Sequence, residues 1–245
     1  MTPAQSILDV RQLRKSYGER FNLDVASLNI LKGQVFCILG PTGSGKSTLL
    51  RLLASLDPTT NGEIRFNGSA TSHGSMPLEI RRRIAMVFQR PQLLRCSVRA
   101  NVEYGLRMRK QIPLQSERVD QILQRLELSS LSSQSASTLS GGQIQLVALA
   151  RAFVLEPKLL LLDEPCANLD PARVALVEEV VAELNKKHGT TIIWTTHNVF
   201  QAQRVASHVA LLLDGQVVES GSNQNFFATP TDPRTADFIQ GRMIY

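Results

Sequence analysis

Gly40, Pro41, Thr42, Gly43, Ser44, Gly45, Lys46, Ser47 and Thr48 form the pattern Gly-x4-Gly-Lys-Ser. Glycines at these places let successive backbone N–H groups curl around a polyphosphate, and a helix opening at Lys46 adds the positive end of its dipole. Lys46 can then reach the β- and γ-phosphates of a nucleoside triphosphate, and Ser47 can offer its hydroxyl to Mg²⁺. A glycine-rich turn with no ligand is the alternative; the apolar run before the loop and the helical pattern after it weigh against that. A second run, Leu159 to Glu164, reads LLLLDE and ends in two carboxylates. Ligands of open α/β sheets gather at such strand exits, where Asp163 is suited to hold Mg²⁺ and Glu164 to polarise an attacking water. Alone, Glu164 reads equally well as an ordinary strand-end carboxylate.

The elements that must position these residues follow from hydrophobic period. Short apolar, β-branched runs predict strands at Val35 to Leu39, Ile84 to Phe88, Leu159 to Leu162, Thr190 to Thr195 and His208 to Leu213. Helical patterns run over Lys46 to Ser55, Val98 to Met108, Glu117 to Leu126, Gln143 to Leu155 and Pro171 to His188. The last is punctuated by Asp170 as N-cap, Pro171 in the first turn, Lys186 and Lys187 in the last, and Gly189 beyond. Alternation of strands and helices predicts an α/β fold with a mainly parallel sheet. From about Pro91 to Glu156 strands give way to helices, which suggests a helical insert.

Composition sets outer bounds. A chain of 245 residues, 43% hydrophobic, can bury a full core as one domain. Its longest apolar runs are strand-sized, too short to cross a bilayer as a helix. The stretch Met1 to Gln12 lacks the charge and apolar pattern of a secretory signal. Cys37, Cys96 and Cys166 are odd in number, widely spaced and outside any Cys-x-x-Cys pair, so they read as reduced thiols. The net charge is +6, with basic clusters at Arg81, Arg82 and Arg83 and at Arg107, Arg109 and Lys110; these read as solvated helix faces.

Leu139 to Gln143 read LSGGQ directly before a helix, and this resembles the signature motif of ABC ATPases. The other motifs of that family follow in order. Tyr17 resembles the aromatic residue that stacks on adenine, Gln89 the Q-loop glutamine that also approaches the metal, Ala167 to Asp170 the D-loop, and His197 the switch histidine. Taken singly, Tyr17 and His197 are ordinary strand-end residues and Asp170 a helix cap; their joint order carries the resemblance, which runs from Tyr17 to about Gly221. It implies a P-loop NTPase fold with an N-terminal antiparallel β region, a core over about residues 1–90 and 157–245, and a helical subdomain over about 91–156. Three positions depart from the commonest pattern: Leu146 stands where Arg is frequent, Cys166 where Ser or Thr is, and Asn198 where Asp is.

The resemblance further implies ATP and Mg²⁺ as cofactors and a head-to-tail dimer with a second copy. Each nucleotide is then held between the phosphate loop of one subunit and Ser140, Gly141, Gly142 and Gln143 of the other. Glu164, His197 and Lys46 would carry the catalysis; Ser47, Gln89 and Asp163 would serve the metal. The implied partners are membrane permease subunits, docking near Gln89 and the stretch Arg90 to Asn101, and indirectly a substrate-binding protein. The implied location is peripheral, on the cytoplasmic side of the membrane. Residues Arg81 to Pro91, Ser97 to Arg109 and Asp232 to Tyr245 are similar to tungstate-type importer subunits and less closely to phosphate-type ones, which implies tungstate or the closely similar molybdate as cargo. An importer for phosphate or an amino acid is the alternative within transport; a soluble ABC ATPase acting on nucleic acid or ribosomes is the rival of another class, disfavoured because one compact cassette is present without a coiled coil.

Overall fold

The computed structural model describes residues 5–18, 21–71, 76–110 and 116–243. Met1 to Ala4 of the N-terminal stretch, residues 111–115 of the helical insert, and Ile244 and Tyr245 of the end segment lie outside the described residues. In chain order the elements are β1 (Ser6–Ser16), β2 (Asn22–Leu31), β3 (Val35–Leu39), α1 (Lys46–Leu53), β4 (Asn61–Phe66), β5 (Ser69–Thr71), α2 (Leu78–Arg81) and β6 (Ile84–Val87). Then come α3 (Val98–Met108), α4 (Ser116–Arg125), α5 (Gly141–Phe153), β7 (Leu159–Asp163), α6 (Pro171–His188), β8 (Thr191–Thr196) and α7 (Val199–Val205). The chain closes with β9 (His208–Leu213), β10 (Gln216–Ser222), α8 (Asn223–Ala228) and α9 (Pro233–Ile239).

Two sheets result. One, ordered β2-β1-β4-β5, is antiparallel; the other, β10-β9-β3-β8-β7-β6, is parallel from β9 to β6 with β10 antiparallel at its edge. This is the α/β P-loop NTPase arrangement expected from the sequence, antiparallel N-terminal region included. Strands β3 and β7 are buried along their whole length, as a parallel sheet covered on both faces requires. Side chains alternate between two apolar layers with the period of two that a strand dictates. Val35, Cys37 and Leu39 face the layer shared with α3, α5 and α6, while Phe36 and Ile38 face the layer shared with α1 and the antiparallel sheet. Leu160 and Leu162 against Leu159 and Leu161 repeat the division on β7.

Helix α1 supplies Leu49, Leu50, Leu52 and Leu53 to the second layer, so it is clamped beneath the antiparallel sheet. It ends at Leu53, short of the expected Ser55, because Ser55 takes a left-handed backbone (φ 55°). Helix α5 begins at Gly141, ahead of the expected Gln143, because Ser140 caps it. Between β6 and β7 every described element with repeating hydrogen bonds is helical. Among the described residues no helix is long and apolar enough to cross a membrane.

Candidate active site

Register brings the chemistry together. In the parallel sheet Leu39 of β3 pairs with Thr196 of β8, Asp163 of β7 with Thr195, and Val87 of β6 with Leu162. The segments leaving these four strands carry, respectively, the phosphate loop, His197, Glu164 and Gln89. They emerge side by side at about 4.8 Å strand spacing, at the carboxyl end of the sheet.

The loop is shaped by its glycines. A Cβ on Gly40 would stand 2.3 Å from the carbonyl oxygen of Leu212, and Gly45 has φ 105°, a region that L side chains avoid. Gly45 then opens α1, and Lys46, 5% exposed, turns its ammonium back to donate to the carbonyls of Gly40 and Pro41, both at 2.8 Å. Lys46 Nζ also lies 3.3 Å from Glu164 Oε1. Burial lowers the Lys46 pKa, and the neighbouring Glu164 and Asp163 work in the opposite direction.

Glu164 stands at the centre of the constellation. Its other oxygen, Oε2, is 3.0 Å from His197 Nδ1; facing a carboxylate, which can only accept, Nδ1 carries the proton of that bond. The Glu164 backbone has φ 43°, a strained conformation for a residue with a side chain, of the kind that clusters at functional sites. Thr195 holds it: its hydroxyl accepts from the Glu164 N–H at 3.0 Å and donates to Asp163 Oδ1 at 2.9 Å. Asp163 itself is 3% exposed. Thr195 was not singled out from the sequence; the only signal was its place opposite Asp163 once the two strands are paired.

A cleft of about 220 Å³ is lined by Phe21, Thr42, Gly43, Gly45, Lys46, Ser47, Thr48, Gln89 and Glu164. A neighbouring cleft of about 610 Å³ brings Ser47, Gln89 and Asp163 together. Within the loop, the buried hydroxyl of Ser44 has no hydrogen-bond partner, and Thr42, Gly43, Gly45, Lys46, Ser47 and Thr48 line the first cleft, residues whose N–H, hydroxyl and ammonium donors fit a polyphosphate. Arg51, Arg90 and Arg151 line this cleft as well, and within it the oxygens of Ser47, Gln89 and Asp163 are the ones that fit a hard cation such as Mg²⁺.

Other expected residues lie apart from these clefts. Tyr17, 45% exposed, directs its hydroxyl to Asp57 Oδ2 at 3.4 Å, and Lys15 Nζ sits 5.2 Å from its ring centroid. Ser140, Gly141, Gly142 and Gln143 line neither cleft; they form the exposed N-terminus of α5. There the Ser140 hydroxyl accepts from the Gln143 N–H and the Gln143 side chain accepts from the Ser140 N–H, a capping box. A Cβ on Gly142 would stand 3.3 Å from the Asn168 carbonyl oxygen, so this turn packs on the segment from Ala167 to Asp170. Asp170 caps α6, accepting from the Arg173 N–H at 3.0 Å.

The departures noted in the sequence are each accommodated. Leu146 is buried in the apolar layer beneath α5. Asn198 caps α7 by accepting from the Gln201 N–H at 3.1 Å, a role that Asp and Asn fill about equally. Burial pushes the half-buried Cys166 thiol up to about 12, which disfavours the reactive thiolate at neutral pH.

Comparison with known proteins adds further observations. The family model described as "ABC transporter" matches residues 23–167. Over 235 residues the chain is 41% identical to the phosphate import ATP-binding protein PstB 2 of Natronomonas pharaonis, covering 91% of this chain and 82% of that one. It is 38% identical over 214 residues to the tungstate uptake system ATP-binding protein TupC of Peptoclostridium acidaminophilum, covering 87% and 97%. Further relatives at 35 or 36% identity also carry the phosphate import description. A solved dimeric ATP-binding cassette in a post-hydrolysis state with ADP and phosphate bound superposes with a TM-score of 0.79 at 29% identity, over 88% of this chain and 98% of that one.

Proposed function

The chain belongs to the ABC transporter family of ATP-binding subunits, and from that premise we propose that it is the ATP-hydrolysing motor of an importer for a tetrahedral oxyanion. The observation that carries the motor is the contact of Lys46 with Glu164, both lining the phosphate-loop cleft, and of Glu164 in turn with His197.

In the proposed reaction the loop amides and Lys46 hold the β- and γ-phosphates. Lys46 exchanges its present neighbour Glu164 for phosphate oxygens, which frees the carboxylate to act on water. Glu164 takes a proton as the water oxygen attacks the γ-phosphorus, and the bond to the ADP oxygen breaks. His197, held to Glu164 through Nδ1–H, stabilises the developing charge as the imidazolium, in which its second nitrogen also carries a proton to donate. Ser47, Gln89 and Asp163 would hold Mg²⁺, which when bound neutralises charge on the bridging and terminal phosphates.

The composite dimer is supported by where the signature residues stand. The N-terminus of α5 is exposed and lines neither cleft of its own chain, so its anion-cradling turn suits a nucleotide on a partner. The solved ATP-binding cassette that this chain resembles is itself dimeric with ADP and phosphate bound, which supports pairing of two copies. For the permease, the supporting feature is an apolar groove of about 370 Å³ between β6 and helices α3 and α5, floored by Ala85, Val87 and Ala148 and edged by the exposed Phe88, Leu94 and Tyr104. It adjoins Gln89 and the stretch Arg90 to Asn101, so a permease helix seated there would couple directly to the metal-side cleft.

Both phosphate and tungstate occur among the named cargoes of relatives, phosphate more often, and each is a tetrahedral oxyanion. The subunit touches nucleotide rather than cargo, so the cargo is read through its partners. Reconstitution with the cognate permease and binding protein, loaded in turn with tungstate, molybdate, phosphate or an amino acid, tests the reading. Stimulation of ATP hydrolysis by one of the oxyanions supports it; stimulation by the amino acid alone overturns the cargo while leaving the motor.

A further inference from the structure

Recognition in the 220 Å³ cleft is lopsided. Thr42, Gly43, Gly45, Lys46, Ser47 and Thr48 offer amides, hydroxyls and an ammonium, all suited to phosphates, which every nucleoside triphosphate shares with inorganic tripolyphosphate. Among the described residues that line it, Phe21 is the aromatic one. Its ring lies on the loop: Cζ and Cε1 are 2.7 and 3.5 Å from where a Cβ on Gly45 would stand.

The backbone fixes that placement from several sides. The Tyr17 N–H donates to the Phe21 carbonyl at 3.0 Å, the Asp24 N–H donates to Gly215 at 2.8 Å, and the Gly215 N–H donates to the Ser44 carbonyl at 3.0 Å. The turn between β9 and β10 therefore ties the start of β2 to the phosphate loop, with Phe21 between them. Tyr17, by contrast, stands outside the cleft lining, with its hydroxyl toward Asp57 and the Lys15 ammonium beside its ring.

We propose that Phe21 is a nucleotide-recognition residue whose ring forms the apolar wall for the ribose and base of the bound nucleotide, distinct from any contribution of Tyr17. Aromatic faces bury a base or sugar with little loss of side-chain entropy, and a ring already packed on Gly45 is held in place before the ligand arrives. This rests on the reading of the cleft as the nucleotide site.

Calorimetric titration of the full chain with ATP and, separately, with inorganic tripolyphosphate, both with Mg²⁺, separates the two. Phe21→Ala should weaken ATP about tenfold, within the range that aromatic stacking on a base spans, and leave tripolyphosphate affinity unchanged. Phe21→Leu, which keeps bulk against Gly45, should show the same selective loss to a smaller degree, and Phe21→Trp should restore ATP binding. Unchanged ATP affinity in Phe21→Ala overturns the proposal, and so does equal weakening of both ligands, which would make the ring a prop for the loop. Lys46→Ala should weaken both ligands; if it weakens neither, or if the unsubstituted chain fails to bind tripolyphosphate, the nucleotide-site reading itself fails.

Discussion

Glu164 holds two opposed contacts, an ammonium on one oxygen and an imidazole on the other, on a backbone that a residue with a Cβ rarely adopts. A carboxylate so placed can move a proton only if its position survives while its basicity matters. Glu164→Gln should therefore keep ATP affinity and lower turnover by roughly 10²- to 10⁴-fold, the span of general-base catalysis; steady-state hydrolysis beside equilibrium titration measures both. Thr195 positions this group through its single hydroxyl, which joins the Glu164 N–H to the Asp163 carboxylate. Thr195→Val keeps the shape and removes the link. Turnover should fall roughly ten- to a hundredfold, the usual effect of losing an outer contact that orients a metal-site carboxylate. ATP affinity in the absence of Mg²⁺ should hold, and a variant with normal turnover would remove Thr195 from the site. Lys46, Asp163 and Glu164 were readable as candidates from the loop pattern and the run ending in two carboxylates, and His197 through the family resemblance; the structure brings Lys46, Glu164 and His197 into contact. Thr195 and Phe21 were not readable, because their roles arise from strand pairing and from a chain return that no linear spacing records.

At the scale of elements, strand β3, the loop and α1 were readable as a unit: a buried apolar run, glycines at positions of special backbone, then Leu49, Leu50, Leu52 and Leu53 on an inward face. Helices α3 and α6 matched their expected bounds because Ser97 caps one and Asp170, Pro171 and Gly189 bracket the other. Strands β1, β2 and β4 were foreseen only as a region. Their runs mix charged residues with apolar ones because one face is exposed, and β1 departs from strict alternation where a bulge shifts its register against β4 between Arg11 and Arg14. The α5 N-terminus has two duties that substitution can separate. Ser140 caps its own helix and, in the proposed dimer, faces the partner's phosphates. Ser140→Ala should cost about 1 kcal/mol of stability as a lost cap, measured by denaturant unfolding. Ser140→Asp keeps a good cap yet sets a carboxylate before a phosphate, so it should unfold like the unsubstituted chain and lose most of its hydrolysis. Full activity in Ser140→Asp would mean that this turn meets no phosphate.

For the whole molecule, the sheet gathers the phosphate loop, Glu164 and His197 at its carboxyl edge, and the capped turn at Ser140 opens α5 exposed, lining neither cleft of its own chain. Two copies head to tail would satisfy both surfaces, and ATP would be the glue. In a mixed dimer of Ser140→Asp and Lys46→Ala chains, one composite site should carry both lesions and the other neither, so about half of the hydrolysis should remain if the sites act independently. The most direct test of the account is the mass of Glu164→Gln in solution, where hydrolysis can no longer remove the glue. By sedimentation it should be a monomer of 27.1 kDa without nucleotide. With ATP and Mg²⁺ it should shift to twice that mass, and it should return to monomer with ADP or when Ser140→Asp is added. A particle that stays monomeric with saturating ATP, or a dimer indifferent to nucleotide and to Ser140→Asp, would contradict the composite site on which the mechanism rests.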